Sequence, residues 1–382
     1  MNRERMKQVF ANYIEKFEMI NDKDHDENYK WRIAYQFPDL IDPDSPLFAS
    51  NLKQAATLSS NLIDSTNRYC FSALVTCAEK EPDSVRALFK ALFADDGGDL
   101  QVRQNKILTF IEDAYALTTR LHTSNGMYMN DQRSAMAYLF LNDPEHHYLY
   151  KSSEANNFAS CIEFYDDWGS GSSFRLDIYH RMCDALVEEI QQSPELLSTH
   201  NSRFYDCAGE MLEDMHPDNN YHILAFDIIY GAPEFRYNFY KGIPYTTINA
   251  QARKLHEERI QKANALLEEW KQAKGRADLL TEAQAYFAEH ISVGTDVKHR
   301  TYGEGRVTEA GESQITVHFP KIDGTKKFSL MSAFTGRFLT ANISDLDERI
   351  AKYQDVAKSE SSIFTALDRA EQNLTPYREY LE

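Results

Sequence analysis

The residue types best suited to hold a ligand here are aromatics interleaved with cations. Tyr29, Lys30 and Trp31 are consecutive, and Tyr148, Tyr150 and Lys151 make a second group. Stacking on an extruded or unpaired base needs a flat π-face for the base and a nearby cation for its phosphate. A third set lies toward the C-terminal end: Lys298, Arg300, Tyr302, Arg306, Lys326 and Lys327, with Phe319 and Phe328 between and beyond them. The competing reading is packing. With 22 Tyr and 22 Phe in 382 residues, most rings are needed for a core, and a charged strand face is solvated by default.

Bond-breaking chemistry finds less support. His146 and His147 are adjacent, so their side chains leave the backbone in different directions, and a metal or acid–base site would need a third converging group. Asp227, Glu234 and Arg236 follow the order of a nuclease carboxylate set, but Arg stands where such sets carry Lys, and Pro233 intrudes. Asp166-Asp167 borders a Gly/Ser turn and reads as solvated. The run Trp168-Gly169-Ser170-Gly171-Ser172-Ser173 has no Lys to read a phosphate, and no G-x-x-x-x-G-K-S/T occurs anywhere. Cys70, Cys77, Cys161, Cys183 and Cys207 are odd in number and include no C-x-x-C, which fits reduced thiols in a cytosolic protein better than a disulfide framework or zinc site. No Ser or Cys stands in a nucleophile elbow. The sequence thus assigns no catalytic residue, no metal ligand and no cofactor.

The elements that must position these residues are mostly helices. Val9, Phe10, Tyr13, Ile14 and Phe17 fall on one helical face within Met6–Ile20. Further helical patterns run over Tyr29–Phe37, Leu47–Leu62, Cys70–Ala78, from Glu81-Pro82 to Gly97-Gly98, over Leu100–Leu121 and over Asp131–Asn142, with Pro38, Pro43 and Pro46 as interruptions. Residues 1–150 therefore read as a helical domain. Residues 151–248 read as a mixed, mostly helical continuation, in which Ile223–Tyr230 is apolar enough for a buried strand or a helix. Residues 249–291 form a helical connector, with His256, Ile260, Ala263, Leu267 and Trp270 on a heptad stripe and Gly275 as punctuation. Residues 343–382 carry another stripe, and the two helices should pair as an antiparallel hairpin.

Between them, residues 292–342 change period. Gln314–Phe319 and Lys326–Leu330 alternate with period 2, Pro320–Gly324 is turn material, and Gly303 and Gly305 suit a tight hairpin with positive φ. Several short strands in so little chain fit a small closed barrel. The fold class is thus mainly α, α+β, with one small barrel.

The net charge of −18 would repel a polyanion over most of the surface. Within Ser292–Asn342, seven Lys/Arg face five Asp/Glu, so the local excess is positive. Nucleic acid, if bound by charge, belongs on this segment. The start MNRERMKQVF lacks the apolar core of a signal peptide, and no apolar run approaches the ~18 residues of a membrane span, so a cytoplasmic protein without membrane contact is expected.

The run Val297-Lys298-His299, Tyr302-Gly303-Glu304-Gly305-Arg306-Val307, with the strands Ile315–Phe319 and Gly324–Leu330, resembles the C-terminal Tudor-like (SH3-like) barrel of UvrD/PcrA-type helicases. That resemblance implies a non-catalytic module that docks onto nucleic acid or a nucleoprotein machine. A second resemblance rests on an ordered series: Tyr29-Lys30-Trp31 with Phe37, Asn61-Leu62-Ile63, Val85-Arg86 with Leu88-Phe89 and Leu92-Phe93, Asp99-Leu100 with Arg103, Ser134 with Tyr138-Leu139, Asp143-Pro144 with Tyr148, Tyr150 and Lys151, and His222–Asp227. It is similar to the N-terminal helical region of AAA+ NTPases related to McrBC-type restriction systems, although the nucleotide-binding motor of those proteins has no counterpart here. Together they imply a non-enzymatic recognition or adaptor protein of a bacterial restriction or phage-defence system. The alternative is a protein–protein subunit that assembles with a separate AAA+ NTPase or nuclease.

Overall fold

The computed structural model describes residues 1–64, 69–122, 129–206 and 208–381. It is mainly α-helical, with fifteen α-helices and five strands among the described residues. Contacts divide the chain into two compact units, Met1–Arg253 and Lys254–Glu382. No helix is long and apolar enough to cross a membrane among the described residues.

The first unit begins with α1 (Arg3–Ile20), where the Asn2 side chain accepts the Arg5 N–H at 3.2 Å and Met6, Val9, Phe10 and Tyr13 are buried along one face. α2 (Tyr29–Ile41) runs through Pro38 instead of stopping at it. The helix gives up one backbone bond there and keeps Ile33, Ala34, Phe37 and Ile41 buried. α3 (Phe48–Leu58), α4 (Cys70–Lys80) and α5 (Pro82–Phe93) follow, α5 opening on Pro82 at its first position. α6 (Leu100–Arg120) is capped by Asp99, and α7 (Gln132–Asn142) by an Asp131/Ser134 capping box. The core of this half is aromatic: Tyr138 meets Phe71, Phe89 and Phe110 edge-on at 4.9, 5.2 and 5.6 Å.

α8 (Ser152–Cys161), α9 (Leu176–Gln191), α10 (Pro194–Ser202) and α11 (His222–Gly231) complete the unit. The apolar run Ile223–Tyr230 is thus a helix. Its start is set from outside the run: Tyr221 sits at φ 61°, and the buried Asp218 carboxylate accepts the Ile223 and Leu224 N–H groups, both at 2.9 Å. Buried on nearly every side, α11 offers no amphipathic period to read.

The second unit is built on α12 (Ala250–His290), a 41-residue helix that passes Gly275 without a break. Nothing lies within 4 Å of where a Cβ of Gly275 would be, so the glycine marks an open surface position. The C-terminal stripe is two helices, α14 (Leu346–Lys358) and α15 (Glu360–Leu374), parted at Ser359. They run antiparallel to α12: Glu282 accepts the Tyr353 hydroxyl at 2.9 Å, Arg276 donates to Ser359 at 3.2 Å, and Arg259 donates to Tyr380 at 2.8 Å.

Five strands form one antiparallel sheet: β1 (Asp296–His299), β2 (Gly303–Ala310), β3 (Gln314–Phe319), β4 (Gly324–Ser329) and β5 (Leu339–Ala341), in the order β4-β3-β2-β1-β5. The short helix α13 (Leu330–Thr335) links β4 to β5. One sheet face carries Val297, Val307, Ile315, Val317, Phe319 and Leu339, which share a core with Leu280, Ala283 and Phe287 of α12 and with Ile350 and Tyr353 of α14. Burying each large apolar side chain there contributes about 1.5–3 kcal/mol.

Candidate nucleic-acid interface

Strand register decides which side chains of the second unit meet. Opposed residues of antiparallel strands share a face. Phe328 faces Ile315, Lys326 faces Val317, and His299 faces Gly303, so His299, Lys326 and Phe328 lie on the core side of the sheet. Because β4 is an edge strand, Phe328 is only half covered and Lys326 is exposed.

The result is an aromatic cluster at one end of the sheet, between the turns at 300–302 and 320–323. The His299 and Tyr302 rings are stacked, 4.4 Å between centroids and 19° between planes. Phe319 lies 5.4 Å from Tyr302, and Phe328 lies 5.6 Å from His299. Phe319 is fully buried, whereas His299, Tyr302 and Phe328 are half-buried. The Lys326 ammonium stands 5.8 Å from the Tyr302 ring centre, within cation–π range.

Local chemistry holds this platform in place. His299 Nδ1 accepts the Thr301 and Tyr302 backbone N–H groups at 3.0 and 3.2 Å, which fixes its ring against the turn. Gly303, at φ 78°, supplies the left-handed residue of that turn. Gly305 acts differently: its φ is not positive, and a Cβ there would come within 2.5 Å of the Phe319 ring. Of the two glycines expected to need positive φ, one does; the other lets an aromatic ring lie on the strand.

The charges sort by face. On the outer face Arg306 holds Asp296 with two contacts of 2.8 and 3.1 Å, and Lys298 stands opposite Glu304 in the register. Lys327 also projects outward, opposite Thr316. Near the aromatic end are Arg300, Lys321 and Lys326, none in an ion pair with a described residue. Lys321 reaches over the turn to the Thr301 carbonyl at 3.4 Å. Of the residues singled out from sequence in this unit, Tyr302, Lys326 and Arg300 therefore gather at one end, and Lys298, Arg306 and Lys327 do not. His299 and Lys321 were not anticipated. The signal for His299 was its spacing, three residues before Tyr302 and just ahead of a glycine turn.

The aromatic–cation groups of the first unit are placed differently. Lys30 and Trp31 are 0% exposed. The Lys30 ammonium pairs with Glu27 and Asp227 and lies 4.7 Å from the Tyr230 ring centre. Trp31 is covered by the Arg203 guanidinium at 3.5 Å. Tyr148 is buried with its hydroxyl donating to Asp184 at 2.8 Å, Tyr150 is buried and accepts the Trp168 indole N–H at 3.1 Å, and Lys151 donates to the Leu62 carbonyl. These five residues belong to the interior and its polar lining, and the folded unit does not offer them to a base. Tyr29 is half-buried and lines a polar cavity of about 580 Å³ with Glu27, Arg32, Gln36, Asn61 and Tyr230.

Other chemistry-bearing residues are also accounted for by structure. Asp227, buried against Lys30, also accepts the Tyr13 hydroxyl at 2.7 Å, while Arg236 pairs with Glu154 at 3.5 Å. His146 pairs with Asp143 at 2.8 Å, and burial pushes the His147 pKa down to about 3. Cys70, Cys77, Cys161 and Cys183 are buried, and burial pushes the Cys70 and Cys161 thiols up to about 12. Cys207 lies outside the described residues. No group of three metal-ligating side chains occurs among the described residues. Compared with family models, curated proteins and solved structures, the chain finds no significant match.

Proposed function

We propose that this chain is a non-enzymatic recognition protein whose C-terminal sheet docks onto nucleic acid. The observation behind the reading is the stacked, half-buried His299–Tyr302 pair beside the cations Arg300, Lys321 and Lys326, none of them in an ion pair with a described residue. Aromatic faces beside cations bind bases and phosphates together. In this reading the sheet is a Tudor-like barrel. The central place of β2, the bulge between Val307 and Glu309 and the helix that links the two edge strands support that curvature. A restriction or phage-defence setting, with a separate AAA+ NTPase or nuclease as partner, rests on the resemblances in sequence and on the missing Walker motif.

A gel-shift series with single- and double-stranded DNA and RNA tests the proposal on the whole chain. Binding that weakens on charge reversal at Lys321 and Lys326 is expected. Indifference to every nucleic acid, and to those reversals, removes it and leaves the protein–protein reading, for which co-purification of a stoichiometric partner protein is the test.

A further inference from the structure

We infer that the nucleic acid taken by this site is single-stranded, with one unpaired base extending the His299–Tyr302 stack; this rests on the docking function proposed above. A duplex keeps its base faces inside the helix, so a half-exposed ring has nothing to stack on there. What a duplex offers is a double row of phosphates, and affinity for it grows with the number of cations that track the backbone. The sheet is poorly equipped for that task. Its outer face spends Arg306 on Asp296 and sets Lys298 against Glu304.

The aromatic end has the opposite balance. It presents three ring surfaces, His299, Tyr302 and Phe328, and only three cations, Arg300, Lys321 and Lys326. Stacking is sequence-tolerant because every base has a π-face, and a few cations suffice for the phosphates on either side of one stacked nucleotide. The platform is also formed in advance. With His299 Nδ1 tied to two backbone N–H groups, the ring that backs Tyr302 is held in place before any ligand arrives.

Fluorescence anisotropy on the full-length chain decides it, using labelled oligo(dT) and oligo(U) of about 12 nucleotides and a duplex of equal length. Single strands are expected to bind at least about tenfold more tightly than the duplex, with a log–log salt slope of about −1.4 to −2.1 for two to three phosphates. Tyr302→Leu keeps apolar volume and removes the π-face, and should weaken single-strand binding by about tenfold. The exposed Lys326→Gln should lower the salt slope without affecting folding. Equal affinity for duplex and single strand overturns the inference, as does unchanged single-strand binding in Tyr302→Leu with intact circular dichroism. Duplex binding that responds to Lys326→Gln but not to Tyr302→Leu removes this inference and leaves the docking function standing. No binding to any of the three probes removes both.

Discussion

His299 and Tyr302 stack with ring centroids 4.4 Å apart and planes only 19° from parallel, and the same imidazole accepts the Thr301 and Tyr302 N–H groups of the turn that joins them. One histidine therefore shapes the β1–β2 turn and backs the ring proposed to meet the ligand. His299→Ala should cost the second unit about 1–3 kcal/mol, since two backbone donors lose their acceptor. Hydrogen exchange at the Thr301 and Tyr302 amides should accelerate together. Unchanged exchange at both would show that the turn does not depend on the imidazole.

The glycines Gly303 and Gly305 should respond unequally to substitution. Gly305→Ala places a methyl 2.5 Å from the Phe319 ring and 2.8 Å from the His318 carbonyl. A cost of about 1–3 kcal/mol is expected for such overpacking. Gly303→Ala meets only the flexible Lys321 side chain at 3.6 Å and suffers from its positive φ alone, by about 1 kcal/mol. Urea denaturation should rank Gly305→Ala as the more damaging change.

In the first unit, Lys30→Met should destabilise strongly. It strips the cation from Glu27 and Asp227, 5% and 2% exposed, and leaves Glu27 without a counter-charge among the described residues and Asp227 with only the more distant Arg203 guanidinium at 4.0 Å. Breaking a buried ion pair in this way costs about 3–5 kcal/mol. Adding Asp227→Asn should recover part of the loss in a thermal melt, because one of the stranded charges is then gone.

Stability of the first unit should fall in mild acid. Burial, with Arg103 adding to it, pushes the His147 and His180 pKa values down from 6.5 to about 3. Both stay neutral in the fold while the unfolded chain takes up protons, so their contribution is complete above pH 6.5 and is lost as pH falls toward 3. Asp218 works the other way: burial raises its pKa to about 7, and its contribution is complete below its ordinary 3.8 and is lost as pH rises through 7. Burial also lowers the pKa of His200, to about 2, and of His216 and His222, so the histidines together outweigh Asp218. The Nε2 of His180 has no hydrogen-bond partner, so His180→Phe should fold and should flatten the acid limb by about 1.4 kcal/mol per pH unit. An acid limb of unchanged slope would show that His180 titrates normally.

What the sequence made legible follows from the range of the forces involved. Strands β3 and β4 were readable because alternation is a nearest-neighbour property and one face of the sheet is buried. The start of α11 was not, because its cap, Asp218, acts across a left-handed Tyr221. Lys30 looked like a surface cation beside two aromatics; what draws it inward is Asp227, 197 residues away. Gly275 and Pro38 read as breaks, but an open surface in one case and a buried apolar face in the other let the helices continue. At the candidate site, Tyr302, Lys326 and Arg300 were visible as residue types, while their convergence with His299 depends on register and on a turn closed by a side chain.

In the proposed function, nucleic acid meets the chain at the aromatic end of the C-terminal sheet. The most direct measurement is photo-cross-linking of a single-stranded oligonucleotide carrying a halogenated pyrimidine to the full-length chain, followed by peptide mapping. Adducts on the peptides that hold Tyr302 and Phe328 are predicted, and they should disappear with Tyr302→Leu. Adducts confined to Met1–Arg253, or undiminished in that variant, would contradict the account.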